Sequence, residues 1–192
     1  MDLLLHCCCG PCANGSIPQL TAAGYELFCW FWNPNIHPYQ EHKHRRQSFV
    51  ELMEHLSLPY QASKDYPLET WLKSVAEEPE KRCLYCYETR IAAAAQKTAE
   101  MGIKAFSTTL LVSPYQNREI ICKLGNQYAQ QYGISFVDMD LRPGFREGNE
   151  RSRQMGLYMQ KYCGCIYSEK DRYVRPKRKG EIAKDDHKQN NS

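Results

Sequence analysis

The sequence predicts an α/β fold: a parallel, Rossmann-like sheet with helices on both faces. Three observations carry that prediction. Short apolar runs alternate with longer amphipathic stretches along the whole chain. Most of the amphipathic stretches end at a glycine, the usual stop signal of a helix. The composition is that of an ordinary globular chain, with 42% hydrophobic and 24% charged residues in 192. A chain of that length buries about 70% of its unfolded surface, so its core needs no disulfides.

The elements follow in order. Residues 2–8 read as a buried strand, interrupted by Gly10-Pro11, and residues 13–23 as a helix that stops at Gly24. A second buried strand covers 26–32, a helix 39–56 runs up to Pro59, and residues 58–62 form a weaker strand. A strong helix over 83–101 carries the run Ala92–Ala95 and stops at Gly102. A strand over 104–111, a helix over 117–132 stopped by Gly133 and a strand over 135–141 complete the sheet. Arg142, Arg146, Arg151, Arg153 and Lys161, opposed by Glu147 and Glu150, read as a basic loop. No internal repeat or linker divides residues 1–175, which are expected to form a single domain.

Composition also excludes some function classes. The longest apolar run, residues 27–32, is far short of the roughly 20 residues that cross a bilayer. Leu3-Leu4-Leu5 is too short for a signal peptide and Asp2 has the wrong charge for one, so a cytoplasmic protein without membrane association is expected. The net charge of +3 is uneven. Residues 170–192 hold eight Lys or Arg against four acids, which leaves −1 for the rest. Residues 176–192 are therefore expected to be a basic, disordered tail able to reach a polyanion such as nucleic acid.

Ten cysteines are the outlier. In a chain of this size without a secretory signal they favour metal or redox chemistry over a structural disulfide framework. Eight fall in three clusters. The first, Cys7-Cys8-Cys9-Gly10-Pro11-Cys12, ends the first strand, and open α/β sheets bind ligands at the carboxyl ends of their strands. A turn at Gly10-Pro11 can swing Cys8 and Cys9 toward one centre, and Cys12 opens a helix whose N-terminal dipole favours a thiolate. The second, Cys83 and Cys86, puts two thiols on one face at a helix start, which suits a metal or an iron–sulfur cluster. The third, Cys163-Gly164-Cys165, would close a strained, easily reduced ring if oxidised, so it is a redox couple or a chelate. Spacing alone leaves structural zinc, iron–sulfur and thiol–disulfide exchange open. Cys29 and Cys122 read as core residues.

At these residues the chain resembles a known family. His6-x-Cys8-Cys9-x-Pro11-Cys12, Asn33-Pro34-Asn35-Ile36-His37-Pro38, Arg82-Cys83-x-x-Cys86, Ser107-Thr108-Thr109-Leu110 with Ser113-Pro114, Arg151-Ser152, and Tyr158-x-Gln160-x-Tyr162-Cys163-Gly164-Cys165-x-Tyr167-Ser168 follow one another. Together they are similar to the cobalamin-independent epoxyqueuosine reductases, from about residue 3 to residue 173. The resemblance implies a fold like the adenine-nucleotide α-hydrolase-like proteins and reduction of epoxyqueuosine to queuosine at the tRNA wobble position. It implies a 4Fe-4S cluster on Cys8, Cys9, Cys83 and Cys86, and a redox-active pair in Cys163 and Cys165. Cys12 stands where some relatives carry a carboxylate and hold a second metal, which implies an additional mononuclear iron there. Cys7 is an extra neighbour to the pattern, and Gly10 replaces a more usual alanine.

The expected partners are a tRNA with a queuosine-type anticodon and an unidentified electron donor. Arg151, Arg153, Lys161 and Tyr162, in the basic loop and beside the last cysteines, are the candidate RNA contacts. Tyr39, His42, Lys43, His44, Arg45 and Arg46 read as a solvated, basic helix face. Two other function classes share some of these features. An ATP-dependent tRNA thiolation enzyme would need a Gly-rich phosphate loop after the first strand, where Pro11 has no N–H to offer. A zinc-bound RNA-binding module would be colourless, whereas an iron–sulfur protein is brown.

Overall fold

The computed structural model describes residues 1–174. Five parallel strands form one sheet in the order β3-β2-β1-β4-β5: β1 (Leu3–Cys7), β2 (Leu27–Phe31), β3 (Tyr60–Ala62), β4 (Ala105–Thr108) and β5 (Ser135–Phe136). β1 is central and every residue of it is buried, as a strand covered on both faces must be. Its register sets Leu5 between Cys29 and Ser107. The connections are the helices α1 (Gly10–Ala22), α2 (Tyr39–Leu56), α3 (Leu68–Val75), α4 (Arg82–Glu100) and α5 (Arg118–Tyr132), followed by α6 (Phe145–Gln154) and α7 (Ile166–Tyr173). α1 packs on α2 and α6, and α4 packs on α5, so the helices form two separate groups about the sheet. The chain reverses its strand order between β1 and β4, which opens a crevice at their carboxyl ends. This is the predicted parallel architecture.

Several boundaries differ from expectation for identifiable reasons. Gly10-Pro11 begins α1 and does not precede it, because Pro11 sits in the first turn, where a missing N–H removes no helical bond. Cys9 is the cap: its Sγ accepts the Cys12 N–H at 3.4 Å. β4 ends early because the Thr108 hydroxyl oxygen accepts from Leu110 N at 3.2 Å and turns Thr109–Val112 into a 3-10 helix. The last strand is a two-residue edge. The expected basic loop contains helix α6, which lies directly on α1: a Cβ on Gly148 would come within 2.4 Å of Gly15 Cα. Gly10 also has no room to spare, since a Cβ there would reach to 2.6 Å from the Ser48 carbonyl oxygen.

The main core runs through Leu3, Leu4, Leu5, Phe31, Phe49 and Phe106. A second, smaller cluster gathers Trp71, Val75 and Cys165, with Leu72, Tyr85 and Tyr167 packed against it. It joins α3, the start of α4 and α7 beside the main core. The basic tail expected over 176–192 lies outside the described residues.

Candidate active site

The end of β1 delivers three thiols to one point. Sγ atoms of Cys8, Cys9 and Cys12 all lie within 4.8 Å of one another, and Cys8 and Cys9 sulfurs are 3.8 Å apart. Thr109, on the 3-10 turn after β4, fixes Cys8 from both sides. It accepts the Cys8 N–H at 3.1 Å and donates its hydroxyl to Cys8 Sγ at 3.4 Å. His6 ties the strand ends below, with Nδ1 3.0 Å from Thr108 Oγ1 and Nε2 3.0 Å from the Trp32 carbonyl. Both ring nitrogens are thereby engaged, and burial holds its pKa down at about 4. Cys7 points elsewhere: its thiol donates to Leu5 O at 3.4 Å and lies against Cys29 in the core.

Within the triad Cys8 is the thiol whose charge its neighbours favour. Hydrogen bonds from Cys12 and Cys9, then Thr109 and the charge of Arg90, hold Cys8 well below the usual thiol range against the cost of burial. The partners move the other way. Donation to Cys8, interaction with Cys9 and burial push Cys12 up, and burial first of all pushes Cys9 up. At the helix N-terminus, where a thiolate is expected on Cys12, the neighbouring thiols and burial act against that charge.

Two buried arginines flank this group. Arg90 of α4 donates through Nη2 to Cys86 Sγ at 2.9 Å and through Nε to the Cys86 carbonyl at 3.1 Å. Its Nη1 lies 3.5 Å from Asn33 Oδ1, and Asn33 Nδ2 in turn donates to Cys7 O at 2.9 Å. The nearby Cys86, Cys8 and Cys163 thiols favour the Arg90 charge against the cost of its burial. Cys86 itself is buried and pushed up to about 12 by that burial, with Arg90 opposing. Arg45 of α2 is only 1% exposed. It pairs with Glu41 at 2.7 Å and donates to the carbonyls of Cys163 at 2.8 Å and Tyr162 at 2.9 Å. Arg45 and His42 are thus not part of a solvated face; Lys43 and His44 are.

The Cys163–Cys165 turn is clamped between elements. Gly164 O accepts His37 N–H at 2.8 Å, and the Tyr162 hydroxyl donates to His37 O at 2.5 Å. Gly164 takes φ +149, a backbone value that side chains rarely adopt. Cys163 is exposed and its Sγ accepts from Gln116 Nε2 at 3.4 Å. Cys165 is buried against Trp71 and caps α7 by accepting Ser168 N–H at 3.4 Å. Cys83 and Cys86 feel the charges of both, so these four thiols form a second neighbourhood.

Between the two thiol groups lies a cavity of about 440 Å³, lined on one side by Cys8, Cys12 and Thr109 and on another by Tyr162 and Cys163, with Arg45 and Arg90 also in its wall. Gln160 reaches across it to Cys12 Sγ at 3.6 Å. A family model described as epoxyqueuosine reductase QueH matches residues 3–171. The chain belongs to that family. It is 36% identical to the epoxyqueuosine reductase of Acinetobacter baylyi over 88% of this chain and 81% of the relative. The Thermotoga maritima reductase is 33% identical over 86% and 89%, and the Dehalococcoides mccartyi reductase 30% identical over 91% and 96%. Among solved structures, a predicted tRNA methyltransferase subunit of Methanocaldococcus jannaschii shares the fold, with TM-score 0.50 at 13% identity over 79% of this chain and 76% of that one.

In this family member the residues anticipated from sequence separate into groups. Cys8 and Cys9 meet Cys12, whereas Cys83 and Cys86 stand with Cys163 and Cys165. Of the expected RNA contacts, Arg153, Lys161 and Tyr162 line the cavity. Arg151 does not: it donates to Asn14 O at 2.5 Å and pairs with Glu147 at 3.3 Å, fastening α6 to α1. Sequence reasoning missed Arg45, Arg90 and Gln116. Only the sequence position of Arg90, four residues after Cys86 on one helical face, could have signalled it.

Proposed function

We propose that this chain reduces the epoxide of epoxyqueuosine, at the wobble position of a tRNA anticodon, to the cyclopentene of queuosine, with a 4Fe-4S cluster as cofactor. The observation that supports this beyond family membership is the single cavity lined by Cys8, Cys12 and Cys163, with Arg90, which donates to Cys86 Sγ at 2.9 Å, in the same wall. Thiolate donors suit iron–sulfur chemistry, and a cubane is larger than a single ion, so its ligands need not crowd as the triad does. Cys8, Cys9, Cys83 and Cys86 would hold the cluster, and Cys12 is the thiol left for an additional mononuclear iron. When bound, such a group supplies single-electron transfer and a Lewis-acidic iron.

The protein's own side chains have defined tasks in this reading. Arg45 and Arg90 offset the thiolate charge that would otherwise oppose burial. Deoxygenation breaks two C–O bonds, consumes two electrons and two protons, and releases water. Oxidation of the Cys163–Cys165 dithiol to a disulfide delivers that number of each, and an external electron donor must then restore the dithiol. Arg153 and Lys161 at the mouth take RNA phosphates, while Arg151 and Tyr162 hold the elements that carry them. Among the described residues no helix is long and apolar enough to cross a membrane. A tRNA substrate and reduced thiols are consistent with the cytoplasm.

The test is anaerobic purification followed by iron, sulfide and visible-absorption analysis, then incubation with tRNA carrying epoxyqueuosine and nucleoside analysis of the product. Brown protein with bound sulfide that forms queuosine is the expected result. Colourless, zinc-loaded protein without turnover would overturn the proposal.

A further inference from the structure

The segment between β4 and α5 carries an aromatic that neither the thiol chemistry nor the core uses. Tyr115 is 83% exposed, yet it lines the cavity mouth. Isolated exposed aromatics are common and need no explanation. This one is held in place. Its backbone N–H donates to Ser113 Oγ at 3.3 Å, and Gln116 N–H donates to Ser113 O at 3.4 Å, which closes a tight turn. Its ring packs in a T-shaped pair with Phe145, with centroids 6.0 Å apart and planes at 79°, while most of its surface stays open to solvent. Phe145, Arg153 and Lys161 line the same cavity. Arg153, which also pairs with Glu150 at 3.5 Å, and Lys161 are both exposed, so two cations and an exposed aromatic share one cavity rim.

That combination is what single-stranded RNA requires: a flat apolar surface for an unstacked base and positive charge for its backbone. The same turn also reaches the redox pair, because Gln116 donates to Cys163 Sγ at 3.4 Å and accepts from the Tyr87 hydroxyl at 2.8 Å. We propose that Tyr115 is a substrate-recognition residue, on which an unpaired anticodon-loop base adjoining the modified nucleoside stacks as that nucleoside enters the cavity. The inference rests on the reading of tRNA as substrate and deepens it by locating where a neighbouring base is held. Stacking places no charge on a phosphate, so this contribution to affinity is insensitive to salt, in contrast to that of Arg153 and Lys161.

Binding of an anticodon stem-loop to the wild-type protein and to Y115A, Y115L and Y115W tests the proposal, measured at three salt concentrations with iron content recorded for each. Y115A and Y115L should each weaken binding about 5- to 100-fold, with the log–log salt slope and iron content unchanged, and Y115W should bind at least as tightly as wild type. Wild-type binding that Y115A leaves unaltered would overturn the role of Tyr115 while leaving the tRNA reading intact. Equal weakening in all three variants would also overturn it, since an aromatic face would then not be what matters. Failure of the wild-type protein to bind the stem-loop at low salt would remove the tRNA reading itself and the inference with it.

Discussion

The two thiol groups facing the cavity rest on different foundations. Cys8, Cys9 and Cys12 stand at the end of the fully buried central strand, and hydrogen bonds from neighbouring main-core elements fix them. The Cys163–Cys165 turn is irregular chain, clamped by Arg45 and His37 and backed by a small separate cluster around Trp71. One of its sulfurs is exposed and the other buried. Under the proposed function the difference would suit two kinds of chemistry. A metal site gains from ligands whose geometry is set before the metal arrives, whereas a dithiol that cycles through a disulfide must rearrange and must meet its reductant.

The comparison can be broken most severely at the helix start that the two groups share. Cys83→Ala or Cys86→Ala should abolish cluster assembly and turnover, read as iron, sulfide and visible absorption; a variant with full cofactor would remove that pair from the ligand set. Next is Arg45. Arg45→Met leaves Glu41 buried with the Tyr158 hydroxyl but no charged partner and frees the Tyr162 and Cys163 carbonyls, at a cost of about 3–5 kcal/mol in urea unfolding. A double change with Glu41→Gln should recover part of that loss; no recovery would show that the carbonyl clamps dominate.

Acid should act on the second region as well. His37 and His42 are buried, both ring nitrogens of His37 and Nε2 of His42 have no hydrogen-bond partner among the described residues, and desolvation depresses each pKa to about 4 from an ordinary 6.5. The folded state keeps them neutral, so the unfolded chain takes up protons first as pH drops. Their contribution is complete above pH 6.5 and is lost as pH falls through about 4. Unfolding midpoints measured from pH 7.5 to 4.5 should decline, and His42→Phe should flatten that decline. The smallest effect is expected at the rim: Arg153→Ala should lower the salt slope of RNA binding by about one. Arg151→Ala should instead lower stability, because its partners are Asn14 and Glu147.

How much was legible in the sequence follows the same division. The helix expected over 39–56 is found as Tyr39–Leu56, because its periodicity is long and its stop signals are local. The short helices α3, α6 and α7 went unseen. α6, FREGNERSRQ, is almost wholly polar and is held by glycine packing on α1, which no period reveals. The thiols were readable because their spacing is the signal. Arg45 was not, since a run of basic residues reads as a wet surface until carbonyls more than a hundred positions away close over it. Even so, Arg90 could have been inferred from its distance to Cys86 along one helix face.

The claim that the two groups divide cofactor binding from electron supply is tested most directly by comparing Cys9→Ala with Cys163→Ser in anaerobic protein, with iron content and single-turnover queuosine formation measured on the same samples. The account predicts that Cys9→Ala loses both, whereas Cys163→Ser keeps its iron and loses turnover. Loss of iron from Cys163→Ser in step with its activity would contradict it and make Cys163 a metal ligand.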